Sequence, residues 1–139
     1  MKTTATIEGK TFEFASNALT PILYRQLFRK DFLRELTSYK KLQGKKPSEF
    51  TEEEEKIYED HSDAFSRMAF VMNKQAELET ADRLMALTMA DYYNWLTGFN
   101  NPMAFSEADA LSAVLRAWTG NAEDMSVEAK NAESRETEK

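Results

Sequence analysis

The sequence predicts a mainly α-helical α+β fold, in which an N-terminal β-hairpin is followed by a small bundle of about four helices. Three observations predict it: a period-two run that turns at Glu8-Gly9, apolar residues recurring every three or four positions from Ile22 onward, and capping residues, Pro and Gly between those stretches. With 139 residues, 42% of them apolar and 12% aromatic, the chain has material for one core.

The elements follow in order. Ala5 and Ile7 lie on one side of Glu8-Gly9, with Phe12 and Phe14 on the other, so two short alternating strands meet at an X-Gly turn. A hairpin alone is marginal, and its Ile7, Phe12 and Phe14 face must lie on something apolar. Thr20-Pro21 reads as a helix start, with Thr as the cap and Pro at a position whose amide has no partner. Ile22, Leu23, Leu27, Phe28, Phe32, Leu33, Leu36 and Tyr39 then predict one amphipathic helix to about Gln43, stopped by Gly44. After the polar Lys45-Lys46-Pro47-Ser48, Thr51-Glu52-Glu53-Glu54 is a capping-box pattern with acid at the positive end of the next helix. Ile57, His61, Ala64, Phe65, Met68, Val71, Met72, Gln75 and Leu78 share one side of that helix. The period continues toward Leu84 and Leu87, with Thr80 as a candidate break. Thr88-Met89-Ala90-Asp91 opens a short helix ended by Gly98, and Ser106-Glu107-Ala108-Asp109 opens a last one through Leu111, Val114, Leu115 and Trp118. The expected organisation is a single helical domain over 1–120 and a flexible, disordered acidic tail over 121–139, where Val127 and Met125 stand among polar residues.

Composition excludes several chemistries. Cysteine is absent and His61 is the single histidine, which removes disulfide scaffolds, zinc ribbons, iron–sulfur clusters, thiol catalysis and a His-based triad; no metal or cofactor is expected. The run Glu52 to Glu55 with Glu59, Asp60 and Asp63 lacks a glycine-containing loop to wrap a hard cation and reads as a solvated first turn. No phosphate loop, nucleophile elbow or His-Glu-x-x-His occurs. A net charge of −6 disfavours bulk binding to phosphate backbones and anionic lipid. No window has the roughly 18 apolar residues of a spanning helix, and Met1-Lys2-Thr3-Thr4 opens no signal peptide, so the protein is expected in the compartment of its synthesis.

Three clusters remain as candidate sites. Met68, Met72, Met85 and Met89 form two i, i+4 pairs, a pattern suited to an adaptable peptide groove because thioethers repack around varied side chains. Tyr92, Tyr93, Trp95, Phe99, Phe105 and Trp118 place many aromatics in a short, turn-interrupted stretch, and a partner-facing patch is read there at Tyr92, Trp95, Phe99 and Trp118. Core filling is the competing reading for both clusters. Arg25, Arg29, Lys30, Arg34, Lys40, Lys41, Lys45 and Lys46 concentrate positive charge on the first long helix and its loop, against Asp31 and Glu35.

The order of features resembles the tail assembly chaperones of long-tailed phages and prophages of Gram-positive bacteria. The likeness is carried by Thr6-Ile7-Glu8-Gly9-Lys10-Thr11-Phe12-Glu13-Phe14, Tyr24-Arg25-Gln26-Leu27-Phe28-Arg29-Lys30-Asp31-Phe32-Leu33, Met72-Asn73-Lys74-Gln75-Ala76, Trp95-Leu96-Thr97-Gly98-Phe99 and Trp118-Thr119-Gly120-Asn121. The resemblance expects a glycine after Phe28, where this chain has Arg29. It implies a non-enzymatic protein of the host cytoplasm that binds the tape measure protein during tail morphogenesis and is absent from the mature virion. It also implies that a longer, frameshifted form accompanies many members. Other tail proteins are further expected partners, nucleic acid and membrane are not, and a homo-oligomer is compatible with the hairpin's edges. The alternative is a small nucleic-acid-binding regulator using the basic first helix.

Overall fold

A computed structural model describes residues 1–42 and 44–119; the expected tail over 121–139 and the expected stop at Gly120 lie outside the described residues. The fold is α+β, an antiparallel hairpin followed by helices. Strands β1 (Lys2–Ile7) and β2 (Lys10–Ala15) pair in a regular register from Lys2 with Ala15 to Ile7 with Lys10. The two-residue turn has positive φ at both positions, 52° at Glu8 and 80° at Gly9, which matches the twist of the flanking strands. Thr3, Ala5, Ile7 and Phe14 are buried on the inner face and Phe12 is half-buried there.

The helices are α1 (Thr20–Phe28), α2 (Phe32–Lys40), α3 (Glu52–His61), α4 (Ala64–Glu77), α5 (Ala81–Met85), α6 (Met89–Leu96) and α7 (Ala108–Thr119). Short 3₁₀ turns occupy Pro47–Glu49 and Ala104–Ser106. The single helix expected from Ile22 to Gln43 is therefore two. Arg29 adopts a left-handed conformation (φ 58°, ψ 32°) that ends α1, and the Asp31 side chain accepts from the Arg34 amide to start α2. The chain thus breaks where the resemblance expects glycine. Thr20 is itself helical, and its hydroxyl accepts from the Asn17 amide and donates to Gln75 Oε1, so it ties α1 to α4.

The next long stretch is also divided. Thr51 and Glu54 form the expected capping box at the start of α3. Asp63 (φ −89°, ψ 1°) then separates α3 from α4, and Leu78 and Thr80 adopt extended backbone before α5. These breaks leave α3 against α2, with Tyr39 and Tyr58 ring centroids 6.5 Å apart, while α4 runs through the centre.

Helix α4 organises the core. Met68, Ala69, Phe70, Val71 and Met72 are all 0% exposed, a run in which every side of the helix is covered. Strand β2, α1, α2, α6 and α7 pack around it, and β1 lies along α7. Polar ties fix the hairpin in place: Thr3 Oγ1 donates to the Ala113 carbonyl at 2.8 Å, Asn73 Nδ2 donates to the Glu13 carbonyl at 3.0 Å, and the Glu8 carboxylate accepts from the Asn100 amide at 2.8 Å. Among the described residues no helix is long and apolar enough to cross a membrane.

Candidate functional site

The site is built on α6. Thr88 Oγ1 accepts from the Asp91 amide and Asp91 Oδ2 accepts from the Thr88 amide, so this capping box decides where the helix begins and which residues face α4. Tyr92 turns inward between Phe28 and Phe70, at centroid distances of 5.0 and 5.4 Å, and its hydroxyl lies 2.9 Å from Ser66 Oγ. Burial raises the Tyr92 phenol above its ordinary range, with the nearby Asp63 carboxylate adding to the effect against the Ser66 hydrogen bond. Its neighbour Tyr93 points outward and is 57% exposed.

Beyond α6 the aromatics lock together. Trp95, Phe99 and Phe105 lie with centroids 4.9 to 5.0 Å apart, and Phe12 of the hairpin joins them at 5.2 Å from Phe99. Trp95 Nε1 donates to Asn73 Oδ1 at 3.1 Å, which anchors the cluster to α4 and satisfies a polar group that burial would otherwise strand. Between this cluster and the α3–α4 corner opens a groove of about 450 Å³. Met89, Tyr93, Leu96 and Phe99 form its apolar wall, and Lys30, Asp63 and Ser66 its polar one. A smaller hollow of about 210 Å³ follows along the same two elements, α1 and the α5–α6 segment, with Leu23, Leu27, Met85 and Leu87 among its walls.

The expected site residues thus separate. Met89, Tyr92 and Phe99 line the groove, and Met85, 45% exposed, lines the hollow. Trp95 is half-buried beside the groove and lines a third, open depression of about 630 Å³ with Leu78, Leu87 and Asn94. Met68 and Met72 need correcting as partner-facing residues. Both are sealed at 0% exposure, because α4 is covered on all sides. Tyr92, 5% exposed, reaches the groove only as part of its floor. Trp118 is away from the cluster, stacked edge-on against Phe32 at 4.9 Å and lining a separate cavity with Met1, Ser16 and Pro21. The i, i+4 spacing of Met85 and Met89 spans two helices, since Thr88 starts a new one between them.

One assembly escaped the reading of the sequence. Tyr24, Glu35 and Arg67 are buried together, with Glu35 2% exposed. The Tyr24 hydroxyl donates to Glu35 Oε1, Arg67 Nη2 donates to Glu35 Oε2, and Arg67 Nε donates to the Tyr24 oxygen at 3.0 Å. His61 Nδ1 lies 3.1 Å from Glu35 Oε2. Burial pushes the Tyr24 phenol far above its usual range, with Glu35 reinforcing the shift and Arg67 opposing it. Four helices, α1 to α4, meet in this network. Glu35 stands on the same stripe as Phe32, Leu36 and Tyr39, and a charge on an apolar face is the signal that could have found it.

Of the basic residues, Arg25, Arg29, Lys30, Arg34, Lys40 and Lys41 are exposed, and Lys45 pairs with Glu54, whose carboxyl that contact lowers. Comparison with models of known protein families, with curated proteins and with solved structures finds no match for this chain.

Proposed function

We propose that this chain is a non-enzymatic phage tail assembly chaperone that holds apolar helical segments of the tape measure protein in the host cytoplasm until the tail tube forms around them. The observation that carries the reading is the half-open groove along α6, in which Met89, Tyr93, Leu96 and Phe99 present apolar surface beside a polar wall. An amphipathic helix laid in such a groove buries its stripe against the aromatics and leaves its polar side to water. The resemblance of the sequence supplies the client, and the rigid anchoring of Trp95 and Tyr92 to α4 supplies a wall that need not reorganise on binding.

Co-expression with the neighbouring tape measure gene, followed by pull-down, tests this. The expected result is a soluble complex with the native chain and a weakened one with Tyr93→Glu, a substitution at an exposed position. A tape measure protein that is equally soluble and equally assembled without the chain overturns the proposal. A second reading, a small nucleic-acid-binding regulator, draws on the exposed Arg25, Arg29, Lys30 and Arg34, which make no ion pair among the described residues. A gel-shift titration across salt separates the two, because phosphate contacts predict a steep fall in affinity and apolar docking does not.

A further inference from the structure

We infer that the partner of this surface is an amphipathic helix whose apolar stripe is flanked by carboxylates, held by the α1–α2 corner as well as by the groove. The inference rests on the docking reading and adds the chemistry of the partner. The groove and the smaller hollow follow one another along α1 and the α5–α6 segment, and the end of α1 stands between them. That end carries Arg29, which lines the hollow, and Lys30, which lines the groove. Arg67 also reaches the groove, but its charge is committed to Glu35, which leaves Lys30 as the lining cation with no ion pair among the described residues and Asp63 as the lining carboxylate. Arg25 and Arg34 extend the exposed positive charge on either side of the corner.

Apolar side chains are interspersed with these cations. Ile22 and Leu33 are 39% and 61% exposed, one on each helix of the corner, and Met85 is 45% exposed across the hollow. A polynucleotide would meet the cations but leave these aliphatic groups against phosphate and sugar. A helix bearing Glu or Asp beside its stripe satisfies both.

The backbone supplies a second, independent observation. Arg29 holds φ at 58°, a conformation cheap for glycine and strained for a residue with a Cβ. The chain carries a long cation at a position where the backbone favours the smallest residue, and the side chain's reach over the hollow gives that strain a use.

Two synthetic helical peptides test the inference on the full chain. They share Leu at i, i+3, i+4 and i+7 and differ in carrying Glu or Lys beside the stripe, and an RNA homopolymer is the third probe. The Glu peptide is expected to bind at least about tenfold more tightly than the Lys peptide, with affinity falling as salt rises. In the double variant Arg29→Gly, Lys30→Gln that preference is expected to shrink about fivefold to tenfold, with thermal stability retained. Equal binding of the two peptides, no binding of the Glu peptide, or preference for RNA overturns it. If the tape measure protein binds while the peptides are not distinguished, the charge assignment fails and the docking reading stands. If the Glu peptide is selected and the tape measure protein is ignored, the client is wrong and the selectivity of the surface stands.

Discussion

Two assemblies flank α4, and they invert the usual placement of polar and apolar groups. On the side of α1 and α2, Tyr24, Glu35 and Arg67 are buried with each charge matched, Arg67 alone reaching the groove. On the side of α6, Tyr93 and the groove wall of Met89, Leu96 and Phe99 stand partly open. The buried polar set links α1, α2, α3 and α4, whereas the apolar set is held from beneath, by Phe12 and Phe105 against Phe99 and by the anchors of Trp95 at Asn73 and Tyr92 at Ser66, and keeps its outer side open. On the docking proposal, stability and recognition belong to different faces of one helix, and each assignment can be tested by substitution.

The largest effect is expected in the sealed network. Arg67→Met leaves Glu35 charged and buried without its main partner, which costs about 3–5 kcal/mol. The triple variant Tyr24→Phe, Glu35→Leu, Arg67→Met removes the three buried members together, leaving only the half-buried His61, and is expected to recover most of that loss, because desolvation no longer has to be repaid. Urea midpoints of the two variants decide the matter. If the triple is no more stable than the single, the network contributes packing rather than charge matching.

The methionines sharpen the same contrast at a smaller scale. Met72→Ala empties a sealed site and should cost about 2–5 kcal/mol, while Met89→Ala, at a half-exposed groove position, should cost under about 1 kcal/mol. Similar losses for both would mean that the groove is core.

High pH probes both sides at once. The phenols of Tyr24 and Tyr92 are raised by burial, so the fold holds them neutral where the unfolded chain, with a phenol pKa near about 10, releases its protons. Above that value the unfolded state binds fewer protons, so stability declines as pH rises through and beyond about 10 and is fully present below it. Urea midpoints between about pH 8 and about pH 11 should show this decline, with a shallower slope in Tyr92→Phe. An unchanged slope would mean that the Tyr92 hydroxyl meets water in solution.

What could be read from the residues was what is local. The Glu8-Gly9 turn, the boxes at Thr51 and Thr88 and the apolar side of α4 are written in neighbours a few positions apart. The divisions at Arg29 and Asp63 were not, because neither is a Gly or Pro and both interrupt an apolar period that continues across them. The candidate site suffered from the same blindness to distance. Periodicity placed Met68 and Met72 on a face but could not say that α4 has every face covered, and it grouped Trp118 with Trp95 although α7 carries it to a different cavity beside Phe32. Glu35 figures in the sequence only as an acid set against the basic residues of its helix, because its partner Arg67 lies 32 residues away.

The smallest expected effect bears on the rim between the two assemblies. Arg29→Gly removes a side chain that is exposed and makes no ion pair among the described residues, and it relieves a left-handed backbone worth roughly 1 kcal/mol to a residue with a Cβ. Against that, glycine widens the unfolded ensemble and gives back part of the gain. The net change should be a stabilisation of about 0.5 kcal/mol or less, read as a small rise in the urea midpoint at unchanged slope. A clear destabilisation would mean that the arginine packs over Leu27 and Met85 strongly enough to hold the end of α1, and the rim would then belong with the sealed side of the molecule rather than the open one.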